Sequence, residues 1–269
     1  MLKITSRDNQ KLKRARKVRD GNIEDLIFVE GWRLCAEVLR SNLKIEEIFV
    51  SESFAKEDFL SKVSAQNITA TEVSEKVFDS LADTKTSQGI VFICHKPKTN
   101  SSLIEASLNK KMRDFPLVIL LHQINNPANL GAIFRTCEAV DVTGVILTNN
   151  SANAFSPKAL RGAMGAIFRL PIWENADFFE VIRWAKEYNL TSVCADINAE
   201  KSYVEIDWKK PRLLIFGSEA HGLSAEERAE VPESLVIPME NNVESLNLAV
   251  SCGVILFEAK KFKGEKVKK

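Results

Sequence analysis

Short apolar runs that alternate with helix-like segments are the feature that most constrains the fold of this 269-residue chain. The clearest run, residues 117–121, contains no polar residue, which is typical of a strand buried on both faces of a parallel sheet. Residues 127–140 follow it with apolar side chains near one helical face. The alternation continues to a long helix over about residues 246–260. The second half of the chain is therefore predicted to form an α/β domain around a parallel sheet.

A second α/β pattern lies ahead of residue 96. Its short elements follow the order strand, helix, strand, helix, strand, helix, strand, which predicts a smaller α/β layer domain. The stretch between the two patterns is polar and indicates a linker with room for a short helix. The predicted division is a first α/β domain over residues 1–95, a linker over 96–114, a second α/β domain over 115–262 and a basic tail over 263–269.

The net charge of +1 conceals two basic ends. Residues 1–20 carry eight basic and two acidic side chains, and residues 260–269 carry six lysines and one glutamate. The remaining residues, 21–259, therefore have a net charge of −10. Basic ends on an acidic body favour contact with a polyanion through those ends. The alternative is that the charged ends only keep the chain in solution.

Several classes of protein are excluded by composition. The apolar runs are far shorter than the roughly 18 residues of a membrane span, and no apolar segment follows the basic N-terminus as in a secretory signal. The cysteines stand singly, which predicts reduced, buried thiols in a cytoplasmic protein without a disulfide framework or zinc site. The histidines are too scattered for metal-ligand spacing, so no metal is expected. The five cysteines are Cys35, Cys94, Cys137, Cys194 and Cys252, and the three histidines are His95, His122 and His221.

Three polar segments of the second half are candidates for chemistry. The first is Asn-Asn-Pro-Ala-Asn-Leu-Gly over residues 125–131, followed by Arg135. An Asn before a Pro is favourable at the start of a helix. Gly131 and Arg135 are four residues apart and share a helix face, so a ligand could approach the guanidinium. The alternative is a capped helix with a solvated arginine.

The second segment is Phe-Gly-Ser-Glu-Ala-His-Gly-Leu-Ser over residues 216–224. It places a loop with two glycines between a strand and a Ser-capped helix, which is where ligands bind in open parallel sheets. The spacing matches neither the dinucleotide fingerprint nor a P-loop. His221 could serve as a base, but a single loop histidine is more often polar surface.

The third segment covers residues 237–247, where a predicted strand stops at Pro238 and a polar loop leads to the long helix. Ser245 can cap that helix. Ser245 and Asn247 also offer hydrogen bonds at a helix N-terminus, where anions and substrate oxygens bind well. Simple capping is the alternative to a functional site.

Together, the three segments resemble in order and spacing the motifs of the SpoU (TrmH) family, RNA ribose 2′-O-methyltransferases of the SPOUT superfamily that use S-adenosyl-L-methionine (AdoMet). The resemblance covers roughly residues 115–260, and Phe-Val-Glu-Gly-Trp-Arg at 28–33 is similar to the substrate-binding domain that often precedes it. Ala128 and Asn241 depart from the family by replacing glycines. Asn is the non-glycine residue best suited to left-handed backbone.

The resemblance implies a deep trefoil knot in the C-terminal domain, AdoMet bound among the knot loops, and a homodimer with the site near its interface. It also implies that Arg135 stabilises the charge that develops on the ribose oxygen. Asn129 and Asn247 are then expected to position the substrate, Glu219 to orient Arg135 or the loop, Ser245 to hydrogen-bond near the hydroxyl, and Gly217, Ile237, Met239 and Leu246 to bind the cofactor.

The expected substrate is ribosomal RNA, because tRNA enzymes of the family are commonly shorter and lack the first domain. The basic ends and the first domain would hold structured RNA through its shape and phosphates. Two alternatives stay open: a tRNA 2′-O-methyltransferase, and a non-catalytic RNA-binding protein on the same scaffold.

Overall fold

The computed structural model describes residues 3–64, 68–110, 115–241 and 243–263. Its strands are β1 (Lys3–Ile4), β2 (Leu26–Glu30), β3 (Ile45–Ser51), β4 (Ala70–Val73), β5 (Ile90–His95), β6 (Leu117–Leu121), β7 (Gly144–Thr148), β8 (Ile172–Ala176), β9 (Thr191–Ala195), β10 (Arg212–Phe216) and β11 (Glu233–Leu235). Its α-helices are α1 (Gln10–Arg19), α2 (Trp32–Leu39), α3 (Glu57–Ser64), α4 (Glu75–Leu81), α5 (Ser101–Leu108), α6 (Pro127–Ala139), α7 (Pro157–Ala163), α8 (Phe178–Glu187), α9 (Ala225–Ala229) and α10 (Leu248–Lys260).

The described residues form two compact units. Unit 1 comprises those within 1–97 and 153–169, and unit 2 those within 98–152 and 170–269. Residues 153–169, which the predicted division assigned to the second domain, thus belong to unit 1. Three ion pairs join this segment to unit 1: Arg161 lies 2.7 Å from Asp83 and 3.8 Å from Glu30, and Arg169 lies 2.6 Å from Glu37. Contacts between residues so distant in sequence leave no periodic signal, so the pattern could not reveal them.

Unit 1 contains a mixed sheet in the order β1-β4-β3-β5-β2, with β5 antiparallel to both of its neighbours. The sequence pattern did not predict β1 or α1. The three buried residues of α1, Leu12, Ala15 and Val18, lie three residues apart and join a core that includes Phe28 and Phe49. Most of its remaining positions are basic, so the sequence pattern indicated a charged end of the chain and not a helix.

All three arginines of α1 have structural partners, and Arg14 pairs with Glu46. The Arg19 guanidinium donates hydrogen bonds of 3.1–3.3 Å to the carbonyls of Ser80, Leu81 and Ala82 at the end of α4. These carbonyls have no partner within their own helix, and a cation also suits the negative end of the helix dipole. Arg16 donates to the carbonyl of Arg7. Part of the basic N-terminal charge therefore stabilises unit 1.

Unit 2 is built on a sheet in the order β11-β9-β10-β6-β7-β8 in which every pairing is parallel. This confirms the predicted α/β fold with a parallel sheet. All five residues of β6 are buried, as expected for a strand with helices over both faces. The trefoil knot implied by the family resemblance stays a prediction.

Two boundaries in the third polar segment differ from the prediction. The strand predicted to stop at Pro238 lies at Glu233–Leu235, and the long helix, predicted from about residue 246, begins at Leu248. Asn247, not Ser245, caps this helix by accepting a 2.9 Å hydrogen bond from the amide of Ala249. The segment between β11 and α10 is consequently a longer loop than predicted, and it leaves Ser245 exposed.

The thiols of all five cysteines are free and buried, as predicted. Burial raises the pKa of the Cys194 thiol to about 11, which keeps it protonated and unreactive at neutral pH. Within the described ranges, none of the helices combines the length and apolar character needed to cross a bilayer.

Candidate functional site

The carboxyl ends of four adjacent strands, β11, β9, β10 and β6, lie at one edge of the unit 2 sheet. The segments that follow these strands line a cavity of about 350 Å³. Open parallel sheets bind ligands at this edge, because the strand ends present loop backbone there. Eight of the nine predicted site residues line this cavity: Asn129, Gly217, Glu219, Ile237, Met239, Ser245, Leu246 and Asn247.

Sequence reasoning missed several lining residues. Asp196 and Ile197 follow β9, and Ser218, Glu244 and Ser251 lie within or next to the predicted motifs. The carboxylate of Asp196 accepts a 2.8 Å hydrogen bond from the amide of Asn198, which shapes the turn after β9. Asp196 and Ile197 could have been found from the sequence, because they follow the carboxyl end of a predicted strand, where ligands bind.

The loop after β10 closes on itself. The amide of Ser218 donates to the carbonyl of Gly222 at 3.1 Å, and the amide of Gly222 donates to the carbonyl of Ser218 at 2.9 Å. A Cβ on Gly217 would lie 2.6 Å from the Gly222 carbonyl carbon, closer than such atoms approach. Gly222 has a φ of +64°, which favours glycine. The tight loop therefore depends on both glycines.

A chain of hydrogen bonds joins the three polar segments at the cavity. The Asn129 amide nitrogen donates to one Glu219 carboxylate oxygen, and the backbone amide of Asn125 donates to the other at 3.3 Å. The Asn247 amide nitrogen donates to Asn129 Oδ1 at 3.1 Å, and Asn247 Oδ1 caps α10 at Ala249. A carboxylate only accepts, so it fixes the orientation of both asparagine amides.

Glu219 was expected to orient Arg135 or the loop, and the structure shows it bonded to Asn129 and the loop amide of Asn125. Arg135 is exposed on α6 and is not among the described residues that line the cavity. It lies six residues beyond Asn129, about 9 Å along the helix axis and on a different face. Within one chain, Arg135 is thus separate from the other eight predicted site residues.

Local capping explains the starts of the helices that carry these residues. Asn126 accepts a 3.0 Å hydrogen bond from the amide of Ala128, with Pro127 at the first helical position, as predicted. Ser224 and Glu227 form a capping box at α9, which confirms the predicted Ser cap. Asn241 has a φ of +57°, the left-handed backbone expected where the family has glycine.

His122, the residue after β6, ties this strand to α9. Its Nε2 lies 3.1 Å from a Glu227 carboxylate oxygen, and its Nδ1 lies 3.1 Å from the Thr148 hydroxyl. Burial lowers the pKa of His122, more than the Glu227 carboxylate raises it. The imidazole is therefore neutral at pH 7, with Nε2–H donating to Glu227 and Nδ1 accepting from Thr148. Because Glu227 belongs to α9, the helix after the Gly217 loop, these hydrogen bonds fix the position of that loop relative to β6.

The cavity combines apolar walls with negative charge. Ile237, Met239 and Leu246 supply apolar surface, while Asp196, Glu219 and Glu244 supply carboxylates. No lysine or arginine occurs among its described lining residues. This chemistry suits a ligand that pairs a flat apolar group with a positive charge. Across the described ranges, no group of His, Cys, Asp and Glu side chains could hold a metal ion.

Comparison with known proteins agrees with the motif resemblance. The sequence is 27% identical over 272 residues to the 23S rRNA (guanosine(2553)-2'-O)-methyltransferase RlmP of Bacillus subtilis, covering 96% of this chain and 98% of that protein. It is 29% identical over 188 residues to the 23S rRNA (guanosine-2'-O-)-methyltransferase RlmB of Shewanella oneidensis, covering 69% of this chain and 75% of that protein.

A solved structure, the AdoMet-bound rRNA methyltransferase from Sinorhizobium meliloti, superposes with a TM-score of 0.83 at 27% identity and covers 98% of both chains. Residues 28–99 match the family described as RNA 2'-O ribose methyltransferase substrate binding. Residues 116–257, more than half of the chain, match the SpoU rRNA Methylase family. The chain therefore belongs to the SpoU rRNA methylase family.

Proposed function

We propose that this protein transfers a methyl group from AdoMet to a ribose 2′-hydroxyl of ribosomal RNA. The observation that carries the proposal is the hydrogen-bonded chain from Glu219 through Asn129 to Asn247, which joins all three family motifs at one cavity. Relatives named as 23S rRNA methyltransferases cover both units of this chain, which favours ribosomal RNA over tRNA. Such a substrate agrees with the cytoplasmic location expected from the sequence.

The lining residues fit AdoMet. Its adenine is flat and apolar enough for the Ile237 and Leu246 walls, and its sulfonium and ammonium charges match the carboxylates of Asp196 and Glu244. When bound, AdoMet supplies the electrophilic methyl group. The Gly217 loop and the residues around Ile237 and Leu246 present backbone donors and acceptors to it.

The polar residues of the site position the acceptor ribose. Asn129 and Asn247 are held rigidly by Glu219 and the start of α10, so their remaining hydrogen-bonding capacity has a fixed direction. The exposed Ser245 hydroxyl lines the same cavity and hydrogen-bonds near the acceptor hydroxyl. Arg135 stabilises the negative charge that develops on the ribose oxygen as its proton leaves, because a guanidinium stays charged at neutral pH.

The protein acts as a homodimer, and the partner supplies the arginine. Val250 and Phe257, seven residues apart on one face of α10, are each 51% exposed, which is unfavourable for large apolar side chains in water. Helix α6, which carries Arg135, packs against α10. A second copy on this face would bury the apolar side chains and bring Arg135 of the partner subunit toward the cavity.

Two measurements test the proposed function. Calorimetry with the full chain should show AdoMet and S-adenosylhomocysteine binding in the presence of EDTA. Maps of 2′-O-methyl sites on total RNA from cells with and without the protein should differ at a position in ribosomal RNA. A difference confined to tRNA would move the substrate to the alternative class. AdoMet binding without any altered methylation site would favour the non-catalytic alternative.

A further inference from the structure

Unit 1 contains a second large concave surface. This Trp32 groove encloses about 960 Å³ between the outer side of α2 and the start of α3. The lining contains three basic and two acidic side chains and one tryptophan. The groove is lined by Trp32, Ala36, Leu39, Arg40, Ala55, Lys56, Glu57, Asp58, Phe59 and Lys62.

Trp32 is not required by the core of unit 1. The inward face of α2 is formed by Leu34, Cys35 and Val38, which are buried, whereas Trp32 is only half-buried. An indole left partly in water loses much of the free energy that its burial would provide. Its position is therefore better explained by a ligand than by packing.

Two cations lie close to the Trp32 ring. Lys56 Nζ is 4.6 Å and the Arg33 guanidinium carbon is 5.5 Å from the ring centroid, within the range of cation–π contacts. Neither Lys56 nor Lys62 has an ion-pair partner among the described residues. The acidic lining residues have a structural reason, because Glu57 and Asp58 occupy the first turn of α3 and suit its dipole. Lys62, in the last turn of α3, also suits the dipole, whereas Lys56 precedes the helix and has no such reason.

The Trp32 backbone is fixed before any ligand arrives. The Trp32 amide donates a 3.1 Å hydrogen bond to Gln88 Oε1. Gly31 has a φ of +99°, and a Cβ there would lie 2.9 Å from the same oxygen. A ring on an anchored helix end loses little freedom when another flat group stacks on it, which favours binding.

We propose that the Trp32 groove binds one unpaired nucleotide of the RNA substrate, with its base stacked on Trp32 and its phosphate held by Lys56 and Lys62. A half-buried indole with the Lys56 ammonium over its ring matches the stacking and phosphate contacts of single-stranded nucleic acid, because Lys56 can turn from the ring to a phosphate as a base stacks in its place. An acidic peptide would draw the same cations off the indole but would offer no flat group to stack in their place. The proposal deepens the proposed function, because it assigns to unit 1 the contact with the RNA that unit 2 methylates.

Fluorescence anisotropy of a labelled single-stranded oligoadenylate and of a blunt RNA duplex of the same length tests the groove. Trp32→Leu should weaken oligoadenylate binding about 5- to 100-fold, the loss associated with one stacked base, and should hardly change duplex binding. Trp32→Phe should retain most of the affinity. Lys56→Gln should make the salt slope for oligoadenylate shallower by about 0.7, the value for one phosphate contact to a single strand. Phe179→Leu, at an exposed aromatic residue of unit 2, is the matched control and should behave as wild type.

Equal binding of oligoadenylate by Trp32→Leu and wild type would overturn the proposal, as would an equal loss for the duplex. Displacement of the oligoadenylate by polyglutamate at equal charge would also overturn it, since the surface would then respond only to charge. AdoMet calorimetry on the same variants separates this proposal from the proposed function. Trp32-dependent RNA binding in a protein that does not methylate RNA would uphold the groove and reject the activity.

Discussion

At the scale of single residues, Arg135 differs from the other predicted site residues because it lies outside the cavity of its own chain. If it stabilises charge on the ribose oxygen, Arg135→Ala should lower single-turnover methyl transfer about 100-fold or more. AdoMet affinity should remain close to wild type. Arg135→Lys should restore little, because an ammonium lacks the planar fork that reaches a phosphate and a ribose oxygen together.

The matched control for Arg135 is Arg183→Ala, which removes another exposed arginine of unit 2 from α8. Its transfer rate should equal the wild-type rate. The assay follows labelled methyl transfer to RNA at saturating cofactor. A near-wild-type rate for Arg135→Ala would reject its assigned role and direct attention to Ser245 and Glu219.

His122 gives a pH prediction. Burial places its folded pKa below the unfolded value of about 6.5, so only the unfolded chain gains a proton there as the pH first falls below that value. The contribution of His122 to stability is thus present above about pH 6.5 and is lost as the pH falls toward the folded pKa.

The variant His122→Gln tests this prediction, because its side chain keeps a donor for Glu227 without titrating. Its free energy of unfolding should depend less on pH between about 7 and 5 than that of the wild type. Urea unfolding across this range measures the effect. Parallel curves for the two proteins would show that the imidazole does not titrate on unfolding.

The sequence predicted which residues line the site better than it predicted the hydrogen bonds between them. Asn129 and Asn247 were predicted as positioning residues from motif spacing, but their mutual hydrogen bond joins residues 118 apart in sequence. The sequence also left the hydrogen-bond donor to Glu219 undecided, because a carboxylate can equally accept from a guanidinium or an amide. Asp196 was missed because one acid after a strand resembles any loop acid. Spacing predicts which segments meet, whereas side-chain partners depend on how the strands are ordered.

At the scale of elements, burial on both faces made strands easiest to predict. The bounds of β6 agree with the predicted run over residues 117–121, because every residue in it is apolar and buried. Strand β8 was missed because it lies at the sheet edge, where only its first and last residues are buried. The sequence of α1 was interpreted as a basic end because only three of its ten residues are buried.

The structure argues against deletion as a test of the basic N-terminus. Removing residues 1–20 would delete buried Leu12, Ala15 and Val18, so weaker RNA binding could then reflect unfolding. A cleaner comparison is Arg19→Ala with Lys17→Ala on the same helix. Arg19→Ala should lower the free energy of unfolding by about 1–3 kcal/mol, because three carbonyls at the end of α4 lose their donor.

Lys17 is exposed, so its replacement should leave stability unchanged and serve as the control. Urea unfolding measures the stability of both variants. RNA binding at several salt concentrations then shows whether Lys17 contacts phosphate, which would make the salt slope shallower by about 0.9 when the charge is removed. Equal stability of the two variants would mean that the Arg19 contacts contribute nothing measurable. The basic tail predicted at 263–269 lies, beyond its first residue, outside the described residues.

At the scale of the whole molecule, the net charge of +1 masks local fields of opposite sign. The cavity of unit 2 is lined by carboxylates, which favour a cationic cofactor and disfavour RNA phosphate. Phosphate must therefore be held outside the cavity wall. Arg135 is a suitable cation for this purpose, but it lies on a separate part of its own chain. A dimer in which each chain lends Arg135 to the other resolves this separation.

Mixed dimers test that arrangement. Gly217→Val should abolish cofactor binding, because a side chain there meets the Gly222 backbone, while leaving Arg135 intact. Arg135→Ala should remove the arginine while leaving cofactor binding intact. If the arginine acts across the interface, co-expression of the two inactive chains should restore about a quarter of wild-type activity, because half the dimers are mixed and each holds one complete site. If it acts within its own chain, the mixed dimers should stay inactive, since neither chain then holds both groups. Cofactor titration of the mixture should show binding to half of the chains in both cases, so the transfer rate alone separates the two arrangements.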